Sequence, residues 1–102
     1  MNQYNIEYSK EAREDLIEIK RYIKYNLQEP EIAQKLMSKI RSEIDKLKTN
    51  PQMFAIIDDD FIKKFEIRKL IVDNYIVFYR IQNSNIQIAR IMYGRRNWIN
   101  LL

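Results

Sequence analysis

The sequence predicts an α+β fold in which a helical hairpin packs on one face of a small, mainly antiparallel sheet, in the order β-α-α-β-β-β. Two observations carry this prediction. Apolar residues recur at helical spacing in the first half of the chain, and from residue 61 onward β-branched and aromatic residues dominate. With 102 residues, 46% of them hydrophobic, the chain is expected to form one domain over residues 1–102.

The first three elements follow from local patterns. Residues 3–8 alternate aromatic or apolar with polar side chains, which predicts a half-buried strand. Ser9 is a suitable N-cap for a first helix that runs to about Leu27, with one apolar stripe of Ala12, Leu16, Ile19 and Ile23. Pro30 suits the first turn of a second helix, and Thr49-Asn50-Pro51 ends it.

The second half of the chain predicts three further strands, over residues 61–72, 75–81 and 86–93. Asp73-Asn74 and residues 82–85 supply turn chemistry between them, so the strands should form an antiparallel meander. Residues 52–60 are irregular or form a short strand. Both helices are expected on one sheet face, which leaves the opposite face open.

Alternation along the last two strands assigns side chains to these faces. If the turn pairs Ile81 with Ile86, Arg80 and Tyr93 lie on the open face, whereas Arg90 lies on the covered face. A lone buried guanidinium is too costly, so Arg90 is expected near an edge or paired with a carboxylate. The more apolar of the two sets is expected to meet the helices. It consists of Tyr75, Val77, Tyr79, Ile81, Ile86, Ile88, Arg90 and Met92.

Composition excludes several kinds of chemistry. The chain has no cysteine and no histidine, which removes thiolate nucleophiles, the usual general base and the usual zinc ligands. The acidic run Asp58-Asp59-Asp60 lacks the glycine and the spacing of a calcium loop and is interpreted as a solvated loop. We therefore expect no metal and no cofactor. Without a membrane-length apolar stretch or a signal peptide, the chain is expected to be cytoplasmic and to have no membrane partner.

Positive charge is concentrated toward the C-terminus. Residues 1–60 carry a net charge of −2, whereas residues 61–102 carry +6. The single glycine, Gly94, directly precedes Arg95 and Arg96, so we expect it to occupy a backbone position that a Cβ would not permit. The cations of this basic segment are expected on neighbouring strands of the sheet and on the stretch after Gly94: Lys63, Lys64, Arg68, Lys69, Arg80, Arg95 and Arg96.

Several blocks of the sequence resemble the RelE/ParE superfamily of toxins from bacterial type II toxin–antitoxin systems. The more specific blocks are Asn74-Tyr75-Ile76-Val77-Phe78-Tyr79-Arg80-Ile81 and Arg90-Ile91-Met92-Tyr93-Gly94-Arg95-Arg96-Asn97-Trp98. The helical part contributes Ala12, Asp15-Leu16, Tyr22-Ile23, Ile40, Leu47 and Pro51, and further matches are Arg68 and Leu101-Leu102. The fold of this superfamily agrees with the order of elements derived above.

The resemblance implies a toxin that inhibits bacterial growth and is neutralised by a cognate antitoxin, with which it can form a hetero-oligomer. The two branches of the superfamily have different targets. A ParE-like toxin poisons DNA gyrase and needs no chemistry of its own. Its target contacts here would be Arg68, Arg95, Arg96, Trp98, Lys63 and Lys64. A RelE-like toxin cleaves mRNA on the ribosome as a metal-independent endoribonuclease. Its cations here would be Lys69, Arg80 and Arg96, with Tyr93 taking the proton.

The position-by-position match favours the ParE branch. Ile76 and Leu102 stand where the RelE branch has a catalytic arginine and a C-terminal catalytic tyrosine, and Tyr93 stands where the ParE branch commonly has histidine. A third alternative is a nucleic-acid-binding module that only contacts phosphates. In all cases, an acidic and apolar antitoxin segment is expected to cover either the open sheet face or the helical hairpin.

Overall fold

The computed structural model describes residues 3–94. They form two α-helices and a four-stranded sheet. The strands are β1 (Asn5–Tyr8), β2 (Arg68–Val72), β3 (Tyr75–Gln82) and β4 (Asn85–Tyr93), and the helices are α1 (Lys10–Arg21) and α2 (Pro30–Asp45). A π-helical turn, Tyr22–Asn26, extends α1, and short 3-10 turns follow at Lys46–Lys48, Pro51–Met53 and Lys63–Phe65.

The sheet has the strand order β1-β4-β3-β2. The antiparallel meander β2-β3-β4 is confirmed, and β1 joins it in parallel with β4. The first hairpin pairs Val72 with Tyr75 and the second pairs Gln82 with Asn85, so each is closed by two residues. Asp73 and Asn83 open these turns with φ near +55°, a conformation that Asp and Asn tolerate better than most residues. The predicted β-α-α-β-β-β fold is therefore confirmed.

The predicted N-cap of the first helix is confirmed as well. The Ser9 hydroxyl accepts from the Ala12 backbone N–H at 2.9 Å and donates to the Ala89 carbonyl at 2.8 Å. One serine therefore caps α1 and ties it to β4. The helix was expected to reach about Leu27. Regular α-helix instead ends at Arg21, and the π-helical turn carries the chain to Asn26.

The main core lies between the helices and the sheet. Both helices present apolar stripes to it, and the strands contribute alternate residues. The buried members of this cluster are Ala12, Leu16, Ile23, Ala33, Leu36, Met37, Ile40, Ile44, Leu47, Leu70, Val72, Val77, Tyr79, Ile86, Ile88 and Ile91. This cluster is the hydrophobic interior on which the fold depends. Its members agree with the helical stripes predicted from the sequence.

The predicted strand over residues 61–72 is wrong in its first half. Only Arg68–Val72 is extended in the sheet, and the preceding residues form a loop with the 3-10 turn Lys63–Phe65. Glu66 has φ 54°, in the left-handed region, which breaks an extended run. Phe61 is 80% exposed, so its aromatic side chain is not part of a strand that packs on the core.

The second sheet face is not open, contrary to the prediction. It carries a small separate cluster of buried residues, Ile67, Ile76, Phe78 and Met92, with Ile57 packed against them. The Ile57 N–H donates to the Ile67 carbonyl at 2.8 Å, which fixes the irregular segment 54–67 beside β2. Part of this segment therefore covers the face that the alternation pattern left bare.

A β-bulge corrects the predicted faces of β4. Phe78 pairs with Arg90 and Tyr79 pairs with Ile88, so Ala89 is an extra residue on β4. Alternation restarts after this extra residue. Ile91 therefore joins the main core and Met92 the second cluster, the reverse of the prediction.

Candidate functional site

Arg90 is tied to the first helix. Its guanidinium donates to both carboxylate oxygens of Asp15, with Nε–Oδ2 2.8 Å and Nη2–Oδ1 2.9 Å. Asp15 also accepts the Ile91 backbone N–H at 2.9 Å. The Asp15 carboxylate lies beside a part of β4 that β1 does not pair with, so the backbone N–H of that strand is available to donate to it. The predicted carboxylate partner of Arg90 is confirmed, and its hydrogen bonds to Asp15 raise the Arg90 pKa.

Arg68, a predicted target contact, lies against the backbone of the segment after α2. Its Nη1 donates to the Phe54 carbonyl at 2.5 Å. The neighbouring Tyr79 hydroxyl donates to the Pro51 carbonyl at 2.7 Å, and burial raises the Tyr79 pKa. Arg68 and Tyr79 are paired residues on β2 and β3. Together they hold residues 51–54 against the sheet, so the Arg68 guanidinium is a positioning group.

Four further predicted site cations are among the described residues: Lys63, Lys64, Lys69 and Arg80. Lys69 is paired with Phe78 across β2 and β3 and is exposed. Arg80 follows two residues later on β3 and shares that face. Its Nε is buried and has no hydrogen-bond partner within residues 3–94. Lys63 and Lys64 were expected on a strand and instead lie exposed in the 3-10 turn before β2.

Tyr93 lies on the opposite side from these cations. Its ring meets the Tyr75 ring edge to face, with centroids 5.6 Å apart, and it lies on the helix-side face with Ile91. The prediction that Tyr93 shares the open face with Arg80 is therefore wrong, because the bulge at Ala89 shifts every later residue of β4. Burial, and after it the neighbouring Tyr93 and Tyr22, raise the pKa of Tyr75.

A groove that the sequence did not predict opens where the helical hairpin meets the ends of β3 and β4. This hairpin groove has a volume of about 950 Å³. Its floor and walls are lined by Asp15, Glu18, Ile19, Tyr22, Ile23, Leu27, Glu29, Ile32, Lys35, Leu36, Lys39, Asp73, Asn74, Tyr75, Ile91, Met92 and Tyr93. Tyr22, Leu27 and Ile32 each remain about half exposed there. The only signal in the sequence was the excess of large apolar residues at the tip of the hairpin.

Three predicted contacts, Arg95, Arg96 and Trp98, lie outside the described residues. Gly94 is the last residue before them, and its φ is not positive. Its N–H donates to the Asn74 carbonyl at 2.8 Å, and a Cβ on Gly94 would lie 3.2 Å from that oxygen. Any constraint on residue 94 is therefore one of space beside the β2–β3 turn and not of backbone conformation.

Within residues 3–94, no group of three acidic side chains is arranged to hold a metal ion. In the same residues, no helix is long and apolar enough to cross a membrane.

The arrangement of helices and strands is that of known toxin–antitoxin structures. The chromosomal ParDE toxin–antitoxin system from P. aeruginosa matches with a TM-score of 0.74 and 22% sequence identity, over 89% of this chain and 96% of that chain. The toxin–antitoxin complex RelBE2 from Mycobacterium tuberculosis matches with a TM-score of 0.62 and 16% identity, over 89% of this chain and 98% of that chain. These likenesses define the fold class as RelE/ParE-like.

The sequence itself identifies the branch. A family model described as the ParE toxin of the type II toxin–antitoxin system parDE matches residues 6–98. The chain therefore belongs to the ParE toxin family of type II toxin–antitoxin systems. No curated protein matches it.

Proposed function

We propose that this ParE-family toxin inhibits bacterial growth in the cytoplasm by poisoning DNA gyrase and that a cognate antitoxin neutralises it. The observation that carries the proposal against the nuclease alternative is the separation of the candidate catalytic groups. Arg80 and Lys69 lie on the second sheet face, whereas Tyr93 lies at the hairpin groove on the other side. A nuclease needs its proton acceptor and its phosphate-stabilising cations around one scissile bond.

The proposed target surface lies on the second-face side. Lys63 and Lys64 lie in the exposed turn before β2, where Lys63 is 3.7 Å from Asp60, and Phe61 and Phe65 are exposed beside them, at 80% and 46%. Cations next to exposed aromatic residues form a surface suited to protein contact. Arg95, Arg96 and Trp98 remain predicted target contacts. Arg68 shares the helix-side face with Tyr79, where it holds residues 51–54, so it is not part of this surface.

Purified toxin tests this proposal directly. Added to gyrase in a supercoiling assay, it is expected to inhibit supercoiling and to accumulate cleaved DNA–gyrase complexes. The double charge reversal Lys63→Glu/Lys64→Glu should weaken this inhibition. Its matched control is Lys20→Glu/Arg21→Glu, which reverses two adjacent exposed cations at the end of α1. Normal gyrase activity with folded wild-type toxin would remove the proposal.

A translating extract tests the RelE-like alternative. That alternative requires mRNA cuts at the ribosomal A site, and it requires the Tyr93 hydroxyl. Tyr93→Phe keeps the ring that packs on Tyr75 but cannot accept a proton. We expect intact messages, and growth inhibition by Tyr93→Phe equal to that of the wild type. A-site cuts that disappear in Tyr93→Phe would establish the nuclease instead.

Coexpression tests neutralisation. Induction of the toxin alone should arrest growth, and coexpression of the antitoxin encoded by an adjacent reading frame should restore it. Copurification of the two chains would show the expected hetero-oligomer. Growth arrest that no neighbouring frame relieves would contradict the antitoxin part of the proposal and leave the gyrase part standing.

A further inference from the structure

The hairpin groove brings three tyrosine rings together, which we call the groove tyrosines. Tyr22 begins the π-helical turn after α1, Tyr75 and Tyr93 are paired across β3 and β4, and all three line the groove. The ring planes of Tyr75 and Tyr93 meet at 71°, with centroids 5.6 Å apart, so these two rings form a corner. Tyr22 and Tyr93 are 52% and 37% exposed. Aromatic surface is therefore available to a ligand in the groove.

The groove tyrosines hold no cation of the protein itself. At other exposed rings, Lys24 Nζ lies 5.3 Å from the Tyr25 ring centroid and Lys64 Nζ lies 5.2 Å from that of Phe65. Within residues 3–94, no lysine or arginine lies over a ring of the groove tyrosines in this way. The face of an aromatic ring carries negative potential and attracts a cation within about 6 Å of its centroid. The groove tyrosines therefore offer ring faces to a cation from outside.

The charged side chains of the groove add to this negative potential. Its lining includes four acidic side chains and two basic ones. Ion pairs within the protein already engage two of the acids and one of the bases. Glu18 precedes Tyr22 by four residues, so the two side chains lie on the same side of the helix. In the described part of the chain, the lining charges outside any ion pair are Glu18, Glu29 and Lys35.

The size and lining of the groove suit a small molecule. Its volume of about 950 Å³ is within the range of about 300–1,000 Å³ found for small-molecule sites, which are mainly apolar with a few polar groups. Leu27 and Ile32, each 50% exposed, provide apolar surface in it. A quaternary ammonium group suits tyrosine rings, because its methyl groups contact the rings while its charge is attracted to their faces. An anion would instead be repelled by the unpaired acids.

We propose that the hairpin groove binds small organic cations, with a trimethylammonium head against the groove tyrosines beside Glu18 and an apolar body along Leu27 and Ile32. The head complements both the ring faces and the excess of acidic side chains. The body covers apolar side chains that are otherwise half exposed to water. This binding needs neither gyrase nor an antitoxin, so it is a property separate from the proposed function.

Three conjugates of the neutral dye methoxycoumarin test the charge preference. A propyl chain joins the dye to a trimethylammonium, a tert-butyl or a carboxylate head, so only the head differs. Fluorescence anisotropy with the wild-type toxin should show that the trimethylammonium conjugate binds tightest, then tert-butyl, then carboxylate. The first two heads have nearly the same shape, and the attraction of the cation to the rings and to Glu18 should separate their dissociation constants by about tenfold. Added salt should reduce this ratio.

Substitutions in the toxin locate the cation. Tyr22→Phe keeps the ring face and should keep the ratio of about tenfold, whereas Tyr22→Leu should lower it to about threefold. Glu18→Gln should lower the ratio as well, because it removes an unpaired negative charge. The matched controls are Tyr25→Leu in the same π-helical turn and Glu14→Gln on α1. Both residues are exposed and neither lines the groove, so the ratio should not change. Urea unfolding establishes that each variant is folded.

Each contrary result overturns the inference. These results are equal or tighter binding of the tert-butyl or carboxylate conjugate by the wild type, an unchanged ratio in Tyr22→Leu or Glu18→Gln, and binding of none of the three. If none binds and analytical ultracentrifugation shows a dimer, a second copy of the chain is the better occupant. Growth and gyrase assays report separately on the proposed function. A toxin that inhibits gyrase without the ammonium preference removes only the groove assignment, and the reverse removes only the proposed function.

Discussion

The two faces of the sheet are covered in different ways. Two helices with regular apolar stripes cover the first face, and sixteen buried residues meet there. The second face has four buried residues, and an irregular segment rather than a helix contributes Ile57 and Ile67 to it. The first face therefore gives the fold its main core. The second face is a thin layer, and aromatic residues and charges of both signs are exposed around it.

This difference explains why the surfaces on the two sides of the sheet are unlike. The helices extend beyond the sheet at the hairpin tip and create an apolar, mainly acidic groove on the first side. The short covering segment on the second side places Lys63 and Lys64 in an exposed turn.

The largest expected effect tests whether the second face is a true core. Phe78→Ala should destabilise the protein by about 3–5 kcal/mol, because Phe78 is fully buried between the sheet and its covering segment. Urea unfolding measures this loss. Ile88→Ala on the helix side is the reference and should cost about 2–5 kcal/mol. Ile71→Ala, at a residue that is 60% exposed, should be within about 0.5 kcal/mol of the wild type. A Phe78→Ala cost as small as that of Ile71→Ala would mean that the face is bare.

The next effect concerns how α1 is fixed to β4. Asp15→Asn should cost about 2–3 kcal/mol, because it leaves the Arg90 guanidinium without its carboxylate in a site where the two side chains are 25% and 15% exposed. Asp73→Asn is the matched control. It removes the exposed ion pair with Lys39, keeps a residue that tolerates positive φ, and should change stability by less than about 1 kcal/mol. Equal costs in urea unfolding would contradict the special role of Asp15.

Sequence patterns predicted the first face well, because helical periodicity extends over many residues and its errors average out. The strand order of the meander also followed from two turn signals. The parallel pairing of β1 with β4 was not predicted, since no local signal in residues 5–8 specifies a partner 80 residues away. The covering segment was missed for a related reason: Ile57 and Ile67 belong to no periodic run.

The candidate site was less predictable, and a single residue accounts for much of the difference. Ala89 is an extra residue in β4, and nothing in its side chain marks a bulge. Every residue after it therefore lies on the face opposite to the predicted one, which moved Tyr93 away from Arg80. In contrast, the sequence limited Arg90 to an edge position or a carboxylate partner, because burying a lone guanidinium is too costly, and the structure shows the carboxylate partner.

A smaller effect concerns the contact between the first face and the segment after α2. Tyr79→Phe should cost about 1 kcal/mol in urea unfolding, because the Pro51 carbonyl loses its hydroxyl donor. Burial raises the Tyr79 pKa above its ordinary value of 10.0, so the folded protein holds this proton more tightly than the unfolded chain. The resulting stabilisation is fully present below pH 10 and is lost as the pH rises through the folded-state pKa.

The pH dependence makes that prediction specific. The stability difference between wild type and Tyr79→Phe should be constant below about pH 9 and should shrink under more alkaline conditions. The control is Tyr25→Phe, which removes the hydroxyl of a tyrosine that is 63% exposed and should change stability by less than about 0.5 kcal/mol. A difference that grows with pH would contradict the assigned role of the Tyr79 hydroxyl.

The smallest effect concerns the only glycine. Gly94→Ala should change the free energy of unfolding by less than about 1 kcal/mol, because two contributions oppose each other. The new Cβ meets the Asn74 carbonyl at 3.2 Å, a close but not prohibitive contact, while alanine restricts the unfolded chain and so favours folding. Asn83→Ala, at φ 56° in the β3–β4 turn, should cost about 1–2 kcal/mol. If urea unfolding shows Gly94→Ala to be the more damaging change, the strand end beside Asn74 is more tightly constrained than either turn.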